Sequence, residues 1–325
     1  MAEKKAEKKR AGKAADQGAP TGPAPAAGAR RERPRQGGAP RERVAVRKTH
    51  KLYIGGAFPR SESGRSYSVA SADGAHLANA ALASRKDARD AVAAARKAFG
   101  GWSGRTAYNR GQILYRVAEM MEGRRAQFAA ETAAAGGARR PEAEAEVSAA
   151  IDRWVYYAGW TDKVAQVVGG ANPVSGPYHN HSVPEPTGVV AVLAPQDAPL
   201  LGLVSVLAPV IATGNTAVLV AAERAPLPAV ALAEALATSD LPGGVVNLLT
   251  GRTAELAPHL AAHADVNALD LAGAGDLAAE LEEAAADTLK RVLRPQQAPD
   301  WSADPGLSRI TPFLETKTVW HPVGL

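Results

Sequence analysis

The second half of the chain alternates short apolar runs with longer amphipathic ones. Val189-Val190-Ala191-Val192-Leu193, Thr216–Val220, Val245–Leu249 and Val266–Leu271 are apolar at most positions over the length of a strand. A strand apolar on both faces belongs in a sheet that is covered on both sides. Between these runs, residues 199–212, 228–238 and 254–262 carry helical spacing, and a last helix is predicted over 276–293. Strands and helices alternating in this way predict an α/β fold with a doubly wound parallel sheet and right-handed crossovers. Ligands are then expected at the carboxyl ends of the strands.

The first half has a different rhythm. Lys51-Leu52-Tyr53-Ile54-Gly55-Gly56 alternates up to a Gly-Gly turn. With Tyr67 and Val69 it predicts a β-hairpin or a pair of edge strands. Ser84-Arg85-Lys86-Asp87 has capping-box spacing, and Ala88, Ala91, Val92, Ala95 and Phe99 follow on one helical face. Gly100-Gly101 predicts the end of that helix. A second helix carries Ile113, Leu114, Val117, Ala118 and Met121. A third is predicted over 141–168, opened by Pro141, with Val147, Ile151, Trp154, Val155 and Ala158 inward. Residues 313–320 alternate as a closing strand, far in sequence from the hairpin it would join.

Charge divides the chain unevenly. Residues 1–50 hold 14 Lys/Arg against 5 Asp/Glu, a net of +9, whereas residues 51–325 carry −4. Residues 1–48 are rich in Ala, Lys, Arg, Pro and Gly, too poor in large apolar groups to offset the entropy of ordering. A disordered basic tail is expected there, with weak nucleic-acid or acidic-surface binding as its one candidate role. The acidic remainder gives no reason to expect nucleic acid as a main ligand. No apolar run reaches the roughly 18 residues of a membrane helix, and the first residues lack a secretory pattern. The chain has no cysteine, which excludes disulfides and thiolate metal sites within it. The expected compartment is the cytoplasm.

Several segments, in order, resemble the aldehyde dehydrogenase superfamily. Pro186-Thr187-Gly188-Val189-Val190 is similar to the start of the first strand of its dinucleotide-binding lobe. Ala194-Pro195-Gln196-Asp197-Ala198-Pro199-Leu200 stands where that family has its Pro-Trp-Asn loop. Ala208 to Thr216, Leu241 to Asn247 and Leu271-Ala272-Gly273-Ala274 occupy further junctions of the same lobe. The opening Leu52-Tyr53-Ile54-Gly55-Gly56, the acidic loop at Asp197 and the ending Glu315-Thr316-Lys317-Thr318-Val319-Trp320-His321-Pro322 most resemble the second, non-catalytic domain of family 16 enzymes. The resemblance implies a Rossmann-like cofactor lobe with N-terminal helices and a small β oligomerisation flap. It divides the chain into the tail (1–48), a truncated domain (49–293), a linker (294–311) and an oligomerisation strand (312–325).

By the same resemblance, the chemistry is incomplete. Such an enzyme needs a thiolate to attack the aldehyde, an amide to hold the oxyanion, a carboxylate base and a nicotinamide to accept the hydride. The thiolate is absent. Asp197 replaces the amide, and a carboxylate repels developing negative charge. The Glu-Leu-Gly-Gly segment that carries the base is absent, and Glu280 and Glu282 lie in what reads as a charged surface helix. The roughly 40 residues between Leu271 and Phe313 cannot hold a catalytic lobe. No catalytic residue is assigned.

The cofactor positions that the resemblance leaves are Pro195, Glu223 and Gly273. The lysine that would approach the ribose has become Val220, and the phosphate-contacting serine has become Ala274. NAD(P) is therefore a vestigial ligand at most, and no cofactor is required. Alternation puts His179 and His181 on one side of an extended segment, with no third ligand near in sequence. His259 and His263 are four apart without the glutamate of a metalloprotease helix. Tyr156, Tyr157 and Trp160 read as packing or subunit-contact residues.

The sequence thus points to a non-catalytic subunit that joins a full-length aldehyde dehydrogenase or its own copies through the terminal strand. The alternative is an NAD(P)-dependent oxidoreductase acting on aldehydes by cysteine-free chemistry. Binding through the tail is the third.

Overall fold

The computed structural model describes residues 46–295 and 297–324, so almost all of the predicted tail lies outside the described residues. Three short strands come first. β1 (Thr49–His50), β2 (Ser66–Ala70) and β3 (His76–Ala81) form a sheet of order β1-β3-β2. The hairpin predicted between residues 51–56 and Tyr67/Val69 does not form. Tyr67 and Val69 pair with Ala80 and Ala78 of β3, an alanine-rich strand that alternation does not mark.

Five helices follow: α1 (Arg85–Ser103), α2 (Ala107–Glu122), α3 (Arg125–Gly136), α4 (Arg140–Trp160) and α5 (Val164–Val168). The capping box opens α1 as expected: Asp87 N donates to Ser84 Oγ at 3.3 Å, and Ser84 N donates to Asp87 Oδ2 at 2.8 Å. Gly100 and Gly101 do not stop the helix. Trp102 is buried one residue later and donates its indole N–H to Ile211 O at 3.0 Å, and that tertiary contact carries the helix on to Ser103. The single helix predicted over 141–168 breaks after Trp160, where the Thr161 hydroxyl donates back to Ala158 O. Val155, expected inward, is exposed.

The rest of the chain builds two more sheets. Its elements are β4 (Gly170–Asn172), β5 (Tyr178–Pro186), β6 (Val189–Leu193), α6 (Leu201–Ala212), β7 (Thr216–Val220), α7 (Leu227–Leu236), β8 (Val246–Leu249), α8 (Thr253–Ala261), β9 (Ala268–Asp270), α9 (Ala278–Ala286), β10 (Arg291–Leu293) and β11 (Leu314–Pro322). The helix predicted to reach Leu293 ends at Ala286. Leu289 turns left-handed at φ 53°, Lys290 N donates to Ala285 O, and residues 291–293 return as a strand.

The main sheet is parallel throughout, in the order β10-β9-β6-β7-β8. This is the doubly wound α/β lobe that the apolar runs predicted. Period-2 alternation sorts its side chains to two cores. Val190, Val192, Leu219 and Leu248 face α2, α4, α6 and α7. Val189, Ala191, Val218 and Leu249 face α1, α8 and α9. The free edge of β8 meets Tyr53, which exchanges backbone hydrogen bonds of 3.0 and 2.6 Å with Leu248.

The third sheet, β11-β5-β4, is an antiparallel flap. β11 pairs along nine residues with β5 rather than with the N-terminal strands, from Leu314 opposite Pro186 to Pro322 opposite Tyr178. Only 20 residues separate β10 from β11. Those described among them form a strap over α4, α6 and β9, with Ile310 and Phe313 buried in the core beneath. Arg153, on α4, donates to Ser205 Oγ at 2.7 Å and to the carbonyls of Trp301 and Ala303 at 2.8 and 3.1 Å. Tyr156 donates to Gly306 O, and Arg309 pairs with buried Asp270 at 2.8 Å while its guanidinium lies 4.9 Å from the Trp301 ring centroid. No helix among the described residues is long and apolar enough to cross a membrane.

Candidate functional site

The chain runs outward from β6 through β7 to β8, then returns to place β9 on the other side of β6. The crevice where the order reverses is the expected ligand site of such a sheet. A cleft of about 660 Å³ lies there, lined by Gln196 and Asp197 after β6, Glu223 and Arg224 after β7, Thr253 at the start of α8, and residues 272–275 after β9.

The loops after β6 and β9 pack tightly. Gly273 N donates to Leu193 O at 2.9 Å, and a Cβ at residue 273 would stand 1.9 Å from Ala194 O. Only glycine allows the backbones to approach so closely. Glu223 sits in a network. Gln196 Oε1 accepts from Glu223 N at 2.8 Å, and Tyr67 donates to Glu223 O at 3.2 Å. The carboxylate itself pairs with Arg252 and accepts from Thr253 N at 3.4 Å. Arg252 lies over the Tyr67 ring at 5.5 Å. Burial pushes the Tyr67 hydroxyl up, and Glu223 nearby adds to the effect. Thr253 Oγ1 is buried and has no hydrogen-bond partner among the described residues.

Of the three sequence-assigned cofactor positions, Glu223 and Gly273 come together in this cleft. Pro195 does not line it. It is buried against α6, its ring 3.1 Å from where a Cβ on Gly202 would lie. Gln196, Arg224, Arg252 and Thr253 form much of the site and were missed. The start of α8, just past a strand apolar on both faces, was the available signal for the last two.

The other candidates fall elsewhere. His179 and His181 do share a face of β5, their rings stacked at 5.9 Å, and His321 of β11 stands opposite His179 in register. No group of three metal-type side chains among the described residues is arranged to hold an ion. His259 and His263 line a shallow groove with Arg85, Lys86 and Arg89 on α1. Tyr157 is fully buried, and burial pushes its hydroxyl up to about 12. Glu282 is tied to Arg294 at 2.8 Å on the surface.

Residues 58–294 match the family model described as Aldehyde dehydrogenase family. The chain belongs to the aldehyde dehydrogenase family. It is 35% identical over 248 residues to the putative aldehyde dehydrogenase DhaS of Bacillus subtilis, covering 75% of this chain and 50% of that protein. It is 33% identical to human cytosolic 10-formyltetrahydrofolate dehydrogenase, covering 71% of this chain and 26% of that one. The crystal structure of a putative aldehyde dehydrogenase from Burkholderia cenocepacia superposes with a TM-score of 0.72 at 29% identity, over 75% of this chain and 50% of that one. HpcC from Thermus thermophilus gives 0.70 at 32% identity, over 75% and 47%. The chain thus spans about half the length of these relatives, or less.

The retained groups fit only one half of a nicotinamide dinucleotide. The orphan Thr253 hydroxyl and the glycine-lined wall at Gly273 suit a ribose and its phosphates. The reacting half is not matched. The chain holds no thiol, and the loop after β6 carries the carboxylate of Asp197 into the cleft.

Proposed function

We propose that this chain is a non-catalytic member of the aldehyde dehydrogenase family that works as a subunit, joining a catalytic member of the family through its flap. The observation that carries this reading is the strap. A strand of the cofactor lobe, β10, leads to the flap strand β11 through 20 residues. The strap lies on the sheet by buried contacts at Asp270, Ile310 and Phe313. A catalytic lobe has no place in that connection. The flap remains, and the likeness of the acidic loop and the terminal strand to the non-catalytic domain of family 16 supports a structural role.

The flap also offers the means of association. Among the described residues, β11 has β5 on one side only, and it is mostly exposed. Trp320 and Tyr178 stack edge to face at 5.8 Å and are both exposed. A long unpaired edge beside exposed aromatics is a surface ready for strand addition. No cofactor is required for this role. A cysteine-free dehydrogenase would need another nucleophile beside the cleft. The ionisable side chains in its lining are Asp197, Glu223 and Arg224, and Glu223 is held by Arg252.

The test is co-purification from the native host, with bound proteins identified by mass spectrometry and the complex sized by mass photometry. A catalytic aldehyde dehydrogenase carrying its cysteine is expected at a fixed ratio. Trp320→Glu should weaken that complex at least about tenfold while the variant keeps its melting temperature. Recovery of the chain alone, together with aldehyde-dependent NADH production by the pure protein, would overturn the proposal.

A further inference from the structure

The N-terminal sheet meets the start of α1 at a turn tied down by one buried carboxylate. Asp87 accepts hydrogen bonds from Ser61 Oγ at 2.7 Å, Glu62 N at 3.1 Å and Ser84 N at 2.8 Å. Ser61 lines one groove and Glu62 another, so the two adjoin at this turn. The first, of about 280 Å³, is lined by Lys51, Arg60 and Arg65, with His50. The second, of about 580 Å³, is lined by Arg85, Lys86 and Arg89 of α1, with His259 and His263. α8 starts at the cleft with Thr253 and reaches this second groove only with its last turn, so the grooves lie apart from the cleft.

Charge along the two grooves is one-sided. Their six Lys and Arg side chains are all exposed. Lys86 is paired with Glu62 at 3.1 Å and Arg89 with Asp90 at 2.9 Å. Lys51, Arg60, Arg65 and Arg85 make no ion pair among the described residues. Glu62 is the one acidic side chain in either lining among those residues. The net charge of −4 over residues 51–325 therefore conceals a strip of unneutralised cations.

The strip lacks the groups that other partners need. Its apolar members are Ala81, Ala88, Leu260 and Ala262, and only the small Ala262 is exposed. A protein interface is anchored by aromatic and aliphatic side chains at its centre, and unpaired bases need an aromatic face on which to stack. A duplex needs neither, because its bases are paired inside and its phosphates face outward. Guanidinium groups, three of the four unpaired cations, bind phosphate through paired charge-assisted hydrogen bonds.

We infer that this strip binds the phosphate backbone of a nucleic-acid duplex without regard to sequence, with Lys51, Arg60, Arg65 and Arg85 as its contacts. It uses neither the cleft nor the flap, so the inference does not rest on the subunit role.

Fluorescence anisotropy decides it, with the full chain titrated into a labelled DNA duplex of about 24 base pairs at salt concentrations from about 50 to 200 mM. The triple variant Arg60→Ala, Arg65→Ala, Arg85→Ala should bind at least about tenfold more weakly at the low-salt end, and its slope of log affinity against log salt should be shallower by about 2–3. It should keep the parent melting temperature. Arg105→Ala, Arg116→Ala, Arg140→Ala removes the same charge from α2 and α4 and should bind as the parent does. Residues 1–48 are present in every variant, so their charge cancels from the comparison. Equal losses from the two triple variants would mean an effect of net charge alone and would overturn the inference. So would an unchanged affinity and slope in the first variant, or no saturable binding by the parent. Tighter binding of polyglutamate than of the duplex would point to an acidic protein instead, and would overturn it as well.

Discussion

At the scale of single residues, the chain contains a carboxyl that resists ionisation. Glu131, on α3, accepts a hydrogen bond from Gln127 through one oxygen, and its Oε2 has no partner among the described residues. Burial is the main cause that lifts it from 4.5 to about 7. Glu234 pushes the same way, while the Gln127 bond and Lys48 pull it down. His50 is shifted down, chiefly by its own burial. The folded chain therefore keeps the Glu131 proton between pH 4.5 and about 7, where the unfolded chain releases it. The Glu131 contribution to stability should fall across that window as pH rises and stay level above it, while His50 contributes with the opposite sign below 6.5. Glu131→Gln should remove this dependence, being more stable than the parent by about 1–3 kcal/mol at pH 8 and equal to it near pH 4.5. Urea denaturation at the two pH values measures both gaps, and an identical gap at each pH would contradict the assignment.

At the scale of elements, the legible parts were those whose side chains meet one kind of environment. β6 and β7 were readable to the residue because both of their faces are buried. Strand β3 was not, since His76-Leu77-Ala78-Asn79-Ala80-Ala81 gains its stability from pairing and carries no alternation of its own. β10 was hidden because Lys290 to Leu293 continues the spacing of the helix before it, and only the left-handed turn at Leu289 separates them. In the cleft, Glu223 and Gly273 could be assigned by family likeness. Arg252 and Thr253 could not, because their role depends on where α8 starts relative to the end of β7. The strap carries no pattern in the sequence for a similar reason: its few apolar residues act singly, each with a partner distant in sequence.

The strap also supports a prediction at this scale. Asp270 is buried, and burial pushes its carboxyl up while Arg309 and the Ala272 N–H pull it back. Removing Arg309 leaves a buried charge without its partner, so Arg309→Ala should destabilise the protein by about 3–5 kcal/mol at pH 7. Combining it with Asp270→Asn removes the uncompensated charge. The double variant should recover about half of the loss or more, although the amide keeps its hydrogen-bond needs. If the two substitutions simply add in denaturant titrations, the pair does not hold the strap.

At the scale of the whole molecule, the question is whether the strap belongs to the fold or rides on it. Ile310 and Phe313 lie in the same core as Trp102, Trp154 and the inward face of the main sheet. The strap backbone is bonded to Arg153 of α4, and Arg309 reaches Asp270 at the end of β9. Losing the strap would expose α4, α6 and the β9 edge together, and those elements also carry the core that the parallel sheet needs. The described region should therefore unfold as one cooperative unit. Trp301 can report on the strap separately in a variant whose other four tryptophans, Trp102, Trp154, Trp160 and Trp320, are replaced by phenylalanine, provided it keeps the parent circular dichroism. Its fluorescence transition in urea should coincide with the loss of helical signal, midpoint and slope alike. An earlier fluorescence transition would mean that the strap opens while the sheet stays folded. Coincidence would mean that the strap is part of the cooperative core.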